Sequence, residues 1–93
     1  MITTQTLVSR NPDQVSTVLD GQTVLLNIES GLYFKMDKTG TRIWDIIEKQ
    51  IPVSDICSTL MAEYDVNKEM CEDHVLQFLN SLKEKGLLIT ATP

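Results

Sequence analysis

Hydrophobic and polar positions alternate through the first half of the chain, which is typical of β-strands. Alternating runs cover residues 15–19, 22–28 and 32–36. Asp20-Gly21 and residues 29–31 separate these runs and favour tight turns. The pattern therefore predicts a three-stranded antiparallel meander with one apolar face. The residues expected on that face are Val24, Leu26, Ile28, Leu32, Phe34 and Met36.

Beyond residue 40 the apolar positions recur at the spacing of a helix. A first helix is predicted over residues 41–49, and Pro52 separates it from a second helix. Asn67 is a favoured N-cap for a third helix, and Gly86 is a favoured residue just past its end. Residues 87–90 are expected to be a short extended piece. The residues expected in the core are Leu26, Ile28, Phe34, Met36, Trp44, Ile47, Leu60, Val75, Phe78 and Leu82.

The order of elements predicts an α+β fold, a three-stranded antiparallel β-meander followed by three α-helices, which is winged-helix-like. Residues 1–14 show a weak pattern and are expected to be an N-terminal arm that is not essential to the core. Residues 15–90 are expected to be the domain, and residues 91–93 a C-terminal tail. The 93 residues suit one domain.

The composition is that of an ordinary globular domain, with 42% hydrophobic and 23% charged residues. No apolar run approaches the roughly 20 residues of a membrane span, and the start does not resemble a signal peptide. The expected location is therefore the cytoplasm, with no membrane partner. The formal net charge of −5 argues against nucleic acid as a partner, because nucleic-acid binders usually present a basic face.

Few residues in the chain are suited to catalysis. His74 is the single histidine, and Cys57 and Cys71 lack the CxxC spacing of a redox or zinc site. The two cysteines are expected to be free and buried, although a disulfide or redox pair stays open. The four glycines are scattered as turn residues, so no loop is suited to cradle a phosphate. The sequence therefore predicts a non-enzyme without cofactor or metal site.

The second and third helices have the outline of a helix-turn-helix, so a small DNA-binding regulator is one alternative. Its recognition helix would present Glu69, Glu72 and Asp73 to the DNA. Recognition helices normally offer Arg, Lys, Asn or Gln at those places. DNA binding is therefore the weaker alternative.

The third strand raises a different possibility. Tyr33 and Lys35 alternate with its apolar residues and could be an ordinary solvent-facing pair. A meander nevertheless leaves an edge at this strand, and an uncovered edge is a hazard unless it is used. Adding a strand to such an edge is a recurring mode of peptide recognition.

Three motifs in order carry a family resemblance. They are G-x-Y-F at residues 31–34, G-x-x-I-W at residues 40–44 and F-L-x-x-L-x-x-x-G-L-L at residues 78–88. With these motifs the chain, over roughly residues 15–89, resembles the pyrroloquinoline quinone biosynthesis chaperone family. That module serves as the recognition element for precursor peptides of ribosomally made, modified products. The likeness is greatest to the stand-alone leader-binding proteins of lasso-peptide pathways.

The resemblance implies a non-catalytic protein that binds the leader region of a precursor peptide. The leader would add as an antiparallel strand to the third strand, beside the third helix. The partner enzymes would be a leader peptidase and a cyclase, or alternatively a radical SAM enzyme in pyrroloquinoline quinone biosynthesis. His74 stands where the family pattern has an acidic residue, so no contact is carried over to that position.

The expected peptide-binding residues come from the third strand and from one flank of the third helix. Helical spacing away from the core stripe selects the helix positions, of which Leu76 is the most informative, since an apolar residue there has no evident packing role. The full set is Leu32, Tyr33, Phe34, Lys35, Met36, Asp73, Leu76, Asn80 and Lys83.

Overall fold

The structure, a computed structural model, describes residues 2–12, 14–20 and 22–92. Two small antiparallel sheets and three helices make up the fold, which confirms the α+β prediction. The strands are β1 (Leu7–Arg10), β2 (Gln14–Leu19), β3 (Gln22–Asn27), β4 (Tyr33–Lys35), β5 (Ile51–Pro52) and β6 (Leu88–Ala91). The helices are α1 (Lys38–Ile46), α2 (Val53–Glu63) and α3 (Lys68–Glu84).

The predicted meander is the sheet β2-β3-β4. Its strands match the predicted ones, but its inner face is the other one. Leu25 pairs with Phe34, so these two side chains share a face, and Leu25 is fully buried. The placement of Leu26 and Ile28 in the core is therefore wrong, because Leu26 is half-buried and Ile28 is 64% exposed. Gly21, expected in the first turn, lies outside the described residues.

The second sheet, β5-β1-β6, contains the segment that the sequence predicted to be a peripheral arm. β1 is its central strand. Val8 is fully buried, and the side chain of Ile2 is 4% exposed. Residues 2–10 therefore contribute to the core, contrary to the expectation. β6 is the predicted extended piece, and it runs to Ala91, so the expected tail begins inside a strand.

Truncating Val8 is expected to cost about 2 kcal/mol of unfolding free energy, because two buried methyl groups are lost and a cavity is left. Urea denaturation of Val8→Ala measures this. Val15→Ala is the matched control, since Val15 is a β2 residue that is 51% exposed, and its change should stay within about 0.5 kcal/mol. Equal effects from the two variants would show that β1 is not part of the core.

Local capping decides where two of the helices begin. α1 starts three residues earlier than predicted, because the Asp37 side chain accepts the Gly40 N–H at 2.8 Å. Asn67 caps α3 as predicted and accepts the Met70 N–H at 2.8 Å.

The C-terminus of α3 ends in a Schellman motif. Gly86 has a φ of +71°, and the Leu87 N–H donates to the Leu82 carbonyl at 2.9 Å. The chain thus turns directly from α3 into β6, which packs beside β1.

The core lies between the helices and the two sheets. Of the ten predicted core residues, Met36, Trp44, Ile47, Leu60, Val75 and Leu82 are buried. Phe34 and Phe78 are half-buried and pack against that core. Within the described residues, no helix has the length and apolar character needed to cross a membrane.

Candidate functional site

The third strand of the meander is an edge. β4 pairs with β3, and no other described strand pairs with it. β2 forms the opposite edge of the same sheet. The side of β4 that faces away from β3 is called the open edge below.

The main-chain groups of Tyr33 and Lys35 face this open edge. The Met36 N–H donates to the Thr23 carbonyl at 2.8 Å, and the Leu32 carbonyl accepts the Asn27 N–H at 3.0 Å. Main-chain groups alternate in direction along a strand, so residues 32, 34 and 36 bond to β3. Tyr33 and Lys35 between them therefore present their N–H and C=O groups outward.

The five strand residues expected to bind peptide consequently divide by role. Tyr33 and Lys35 offer main-chain groups, while their side chains project to the outer face, where Tyr33 is 70% exposed. The main chain of Leu32, Phe34 and Met36 is directed to β3, so these residues do not supply bonds at the open edge. Met36 is also buried, whereas Phe34 lines the inner side of the strand.

α3 contacts the inner face of β4 through aromatic rings. The rings of Phe34 and Phe78 meet edge to face with centroids 5.6 Å apart. The Lys85 ammonium lies 5.6 Å from the Phe34 ring centroid, within the range of a cation–π contact. The space between the open edge of β4 and this side of α3 is called the β4–α3 groove.

Helix geometry gives the other residues of α3 that face the groove. Each residue turns by about 100°, so six residues lie within about 60° of Phe78 around the axis. Cys71, Val75 and Leu82 are buried in the core, which leaves His74, Ser81 and the C-cap residue Lys85. Of these three, His74 is exposed and the other two are half-buried. Together with Phe78 they form the groove face of α3.

The four helix positions expected from the sequence lie on the side of α3 that is turned away from Phe78. Leu76 and Asn80, each two residues from Phe78, lie about 160° away around the axis, and Asp73 and Lys83, each five residues away, about 140° away. Lys83 instead lines a shallow depression with residues of β6 and of the N-terminal segment. Leu76 is half-buried against the core, which explains why it is apolar.

Close packing fixes the groove at the end where β4 leads into α1. A Cβ on Gly40 would lie 2.8 Å from Phe78 Cε1, so only a glycine lets the ring pack there without displacing it. A cleft of about 240 Å³ opens at this place between Asp37, Thr39 and His74. It adjoins an apolar cleft of about 180 Å³ between α1 and the start of α3, where Tyr64, Val66 and Met70 are partly exposed.

The two cysteines are free and buried, as predicted. The Cys71 thiol points to the Cys57 carbonyl with a separation of 3.8 Å between sulfur and oxygen. Burial, with a smaller contribution from Cys71, raises the pKa of the Cys57 thiol to about 12. Because the thiolate is the reactive form, burial disfavours reaction at Cys57.

The arrangement can bind an extended peptide. An added strand would bond to the main chain of Tyr33 and Lys35, and its inward side chains would meet Phe34 and the groove face of α3. The sequence predicted an edge at the third strand, whereas the helix flank that it predicted differs from the groove face defined above. The residue that indicates the groove face is Phe78. Its spacing fits the core stripe of α3, and its ring contacts Phe34 of β4.

The chain is similar to proteins of one known family. The family model of coenzyme PQQ synthesis protein D matches residues 22–88. The solved structure of TbiB1 in complex with the TbiA(beta) leader peptide is 34% identical and has a TM-score of 0.78. The match covers 86% of this chain and 93% of TbiB1.

A second structure, lasso peptide synthetase B1 complexed with the leader peptide, is 26% identical with a TM-score of 0.77. Here the match covers 88% of this chain and 96% of the other. No curated protein sequence matches the chain.

Proposed function

Since the chain belongs to the family of coenzyme PQQ synthesis protein D, we propose that it is a leader-binding protein of ribosomal peptide maturation. It captures the leader region of a lasso-type precursor as an added strand on β4. It then delivers the precursor to separate enzymes, a leader peptidase and a cyclase. The observation that carries this proposal is the open edge of β4, with the main-chain groups of Tyr33 and Lys35 directed at the β4–α3 groove.

The two similar structures support the lasso assignment. Both hold a leader peptide, and both align with nearly their whole length to this chain. Delivery to a radical SAM enzyme, as in pyrroloquinoline quinone biosynthesis, is the second candidate, and the family match favours it. The two candidates share the binding step and differ in the enzyme served.

The side chains along the groove favour a binding role over a catalytic one. The groove face of α3 offers one imidazole, one hydroxyl, one ring and one ammonium, from His74, Ser81, Phe78 and Lys85. His74 has no cysteine, serine or carboxylate bonded to it among the hydrogen bonds of the described residues. The exposed acidic residues of α3 in turn disfavour a DNA phosphate backbone as ligand.

An NMR titration with the TbiA(beta) leader peptide tests the proposed function. Amide shifts can detect even weak association, so an imperfect match between peptide and protein is tolerated. We expect the largest shift changes in β4 and along His74, Phe78, Ser81 and Lys85. A scrambled peptide of the same composition is the control. The absence of shifts, or shifts centred on the exposed face of α2, would contradict the proposal.

Truncating Phe78 is expected to weaken leader binding by about tenfold or more, because the bound strand loses an apolar surface worth roughly 1.5–3 kcal/mol. Leu76→Ala is the matched control. Leu76 is also half-buried on α3 and packed against the core, but it lies on the far side of the helix. Its loss should change affinity less than about twofold.

Both affinities are measured by the same titration at a temperature where each variant is fully folded. If Leu76→Ala weakens binding and Phe78→Ala does not, the leader lies on the other flank of α3.

A further inference from the structure

Asn27 is a buried polar residue, and a buried polar side chain is costly unless it is hydrogen-bonded. It is the last residue of β3 and is 5% exposed. Its side-chain nitrogen donates to the carbonyl of Gly86 at 2.8 Å and to that of Lys85 at 3.2 Å. Its side-chain oxygen accepts the Ser30 N–H at 3.0 Å. One amide thus connects the C-terminus of α3 to the turn between β3 and β4.

The main chain of Asn27 serves the same turn. Its N–H donates to the Leu32 carbonyl, and its carbonyl accepts the Gly31 N–H at 2.8 Å. The residue therefore fixes the start of β4 from within the sheet while its side chain holds the end of α3. The carbonyls of Lys85 and Gly86, just past the end of α3, accept hydrogen bonds from this buried amide.

Gly86 is matched to this contact. A Cβ on Gly86 would lie 2.6 Å from the side-chain nitrogen of Asn27, so the glycine is needed for close approach as well as for its positive φ. The groove between β4 and α3 is consequently fixed at two ends. Gly40 against Phe78 holds one end, and Asn27 against Gly86 holds the other.

We infer that Asn27 is a positioning residue for leader binding, which sets the separation between the open edge of β4 and the groove face of α3. The inference rests on the proposed function. A strand that enters the groove must meet the main chain of β4 and the side chains of α3 at once. A groove held at both ends avoids the ordering cost that a looser groove would incur on binding.

The chain provides a matched control at the same carbonyl. The side-chain nitrogen of Asn11 also donates to the Gly86 carbonyl, at 2.6 Å, but Asn11 follows β1 and does not belong to the β3–β4 turn. Asn11→Ala therefore removes a hydrogen bond from the same end of α3 without releasing β4. A purely stabilising role for these bonds would make the two variants behave alike.

The test compares Asn27→Ala and Asn11→Ala in thermal unfolding, in affinity for the TbiA(beta) leader peptide, and in the Phe34–Phe78 ring NOEs of the free protein. Both variants should unfold at lower temperature than the unmodified chain. Asn27→Ala alone should lose about tenfold or more in affinity and weaken the ring NOEs. Asn11→Ala should stay within about twofold. If Asn27→Ala does not fold, Asn27→Ser is measured instead, because the serine side chain is too short to reach both carbonyls.

Equal affinity losses in the two variants, or unchanged ring NOEs in the Asn27 variant, would overturn the inference. If the unmodified chain does not bind the peptide, the proposed function fails in its lasso form. The ring NOEs of the free protein then still decide whether Asn27 sets the separation of β4 and α3.

Discussion

Proline in place of Tyr33 or of Lys35 is expected to weaken leader binding by about tenfold or more while the domain stays folded. Each substitution removes one main-chain N–H from the open edge of β4. The bonds from the Met36 N–H to the Thr23 carbonyl and from the Asn27 N–H to the Leu32 carbonyl indicate that both N–H groups face that edge. Each variant should therefore lose affinity, which isothermal titration with the leader peptide measures.

The opposite edge of the same sheet supplies the control. Val18 on β2 pairs with Thr23, whose carbonyl is directed to β4, so the Val18 N–H faces away from β3. Val18→Pro consequently removes an outward N–H from a strand at the other edge, where proline is tolerated. Its leader affinity should match that of the unmodified chain. A loss in Val18→Pro together with retained binding in the other two variants would place the leader on β2.

Trp44→Ala is expected to cost about 3–5 kcal/mol of unfolding free energy, the largest stability effect of any single truncation proposed for this chain. The indole is 3% exposed and belongs to the core. The Arg10 guanidinium lies 4.8 Å from the ring centroid, and its Nε donates to the Trp44 carbonyl at 2.9 Å. Removal of the ring therefore leaves a cavity and also abolishes the cation–π contact of Arg10, whereas the hydrogen bond to the main-chain carbonyl remains.

Urea denaturation measures this change, and Trp44→Phe is the matched variant. Phenylalanine keeps an aromatic ring under Arg10 and fills most of the site, so its cost should be about 1–2 kcal/mol. A change within about 0.5 kcal/mol for Trp44→Ala would mean that α1 does not pack through this face.

The parts of the fold that depend on local chemistry could be predicted from the sequence. Asn67 and Gly86 mark the ends of α3 through hydrogen bonds that span a few residues. The three strands of the meander follow from alternation and turn residues. Each of these features depends on the identity of neighbouring residues, which the sequence shows directly.

The inner face of β3 could not be predicted because both faces carry apolar residues. Leu26 lies on one face and Leu25 on the other, and the face of Leu25 also carries Thr23 and Asn27, which made it look polar. Asn27 is acceptable there because the carbonyls of Lys85 and Gly86, which follow α3, accept hydrogen bonds from its side-chain amide. That contact joins residues nearly 60 positions apart, which no local pattern reveals.

The same limit applies to the N-terminal strand and to the helix flank. β1 is stabilised by pairing with β6, about eighty residues later, so its short sequence carries little signal of its own. The groove face of α3 depends on how the helix is rotated relative to β4. The contact between Phe34 and Phe78 sets that rotation. This is a tertiary contact, which the local sequence pattern does not show.

Hydrogen exchange at single amides, with and without the leader peptide, tests most directly whether the leader adds as a strand to β4. The amides of Tyr33 and Lys35 should gain protection on binding, because each acquires a main-chain acceptor. The Phe34 amide, already directed to β3, should change little, and so should the outward Val18 amide on β2. If the amides of Tyr33 and Lys35 exchange as fast with saturating leader peptide as in the free protein, strand addition at this edge is contradicted.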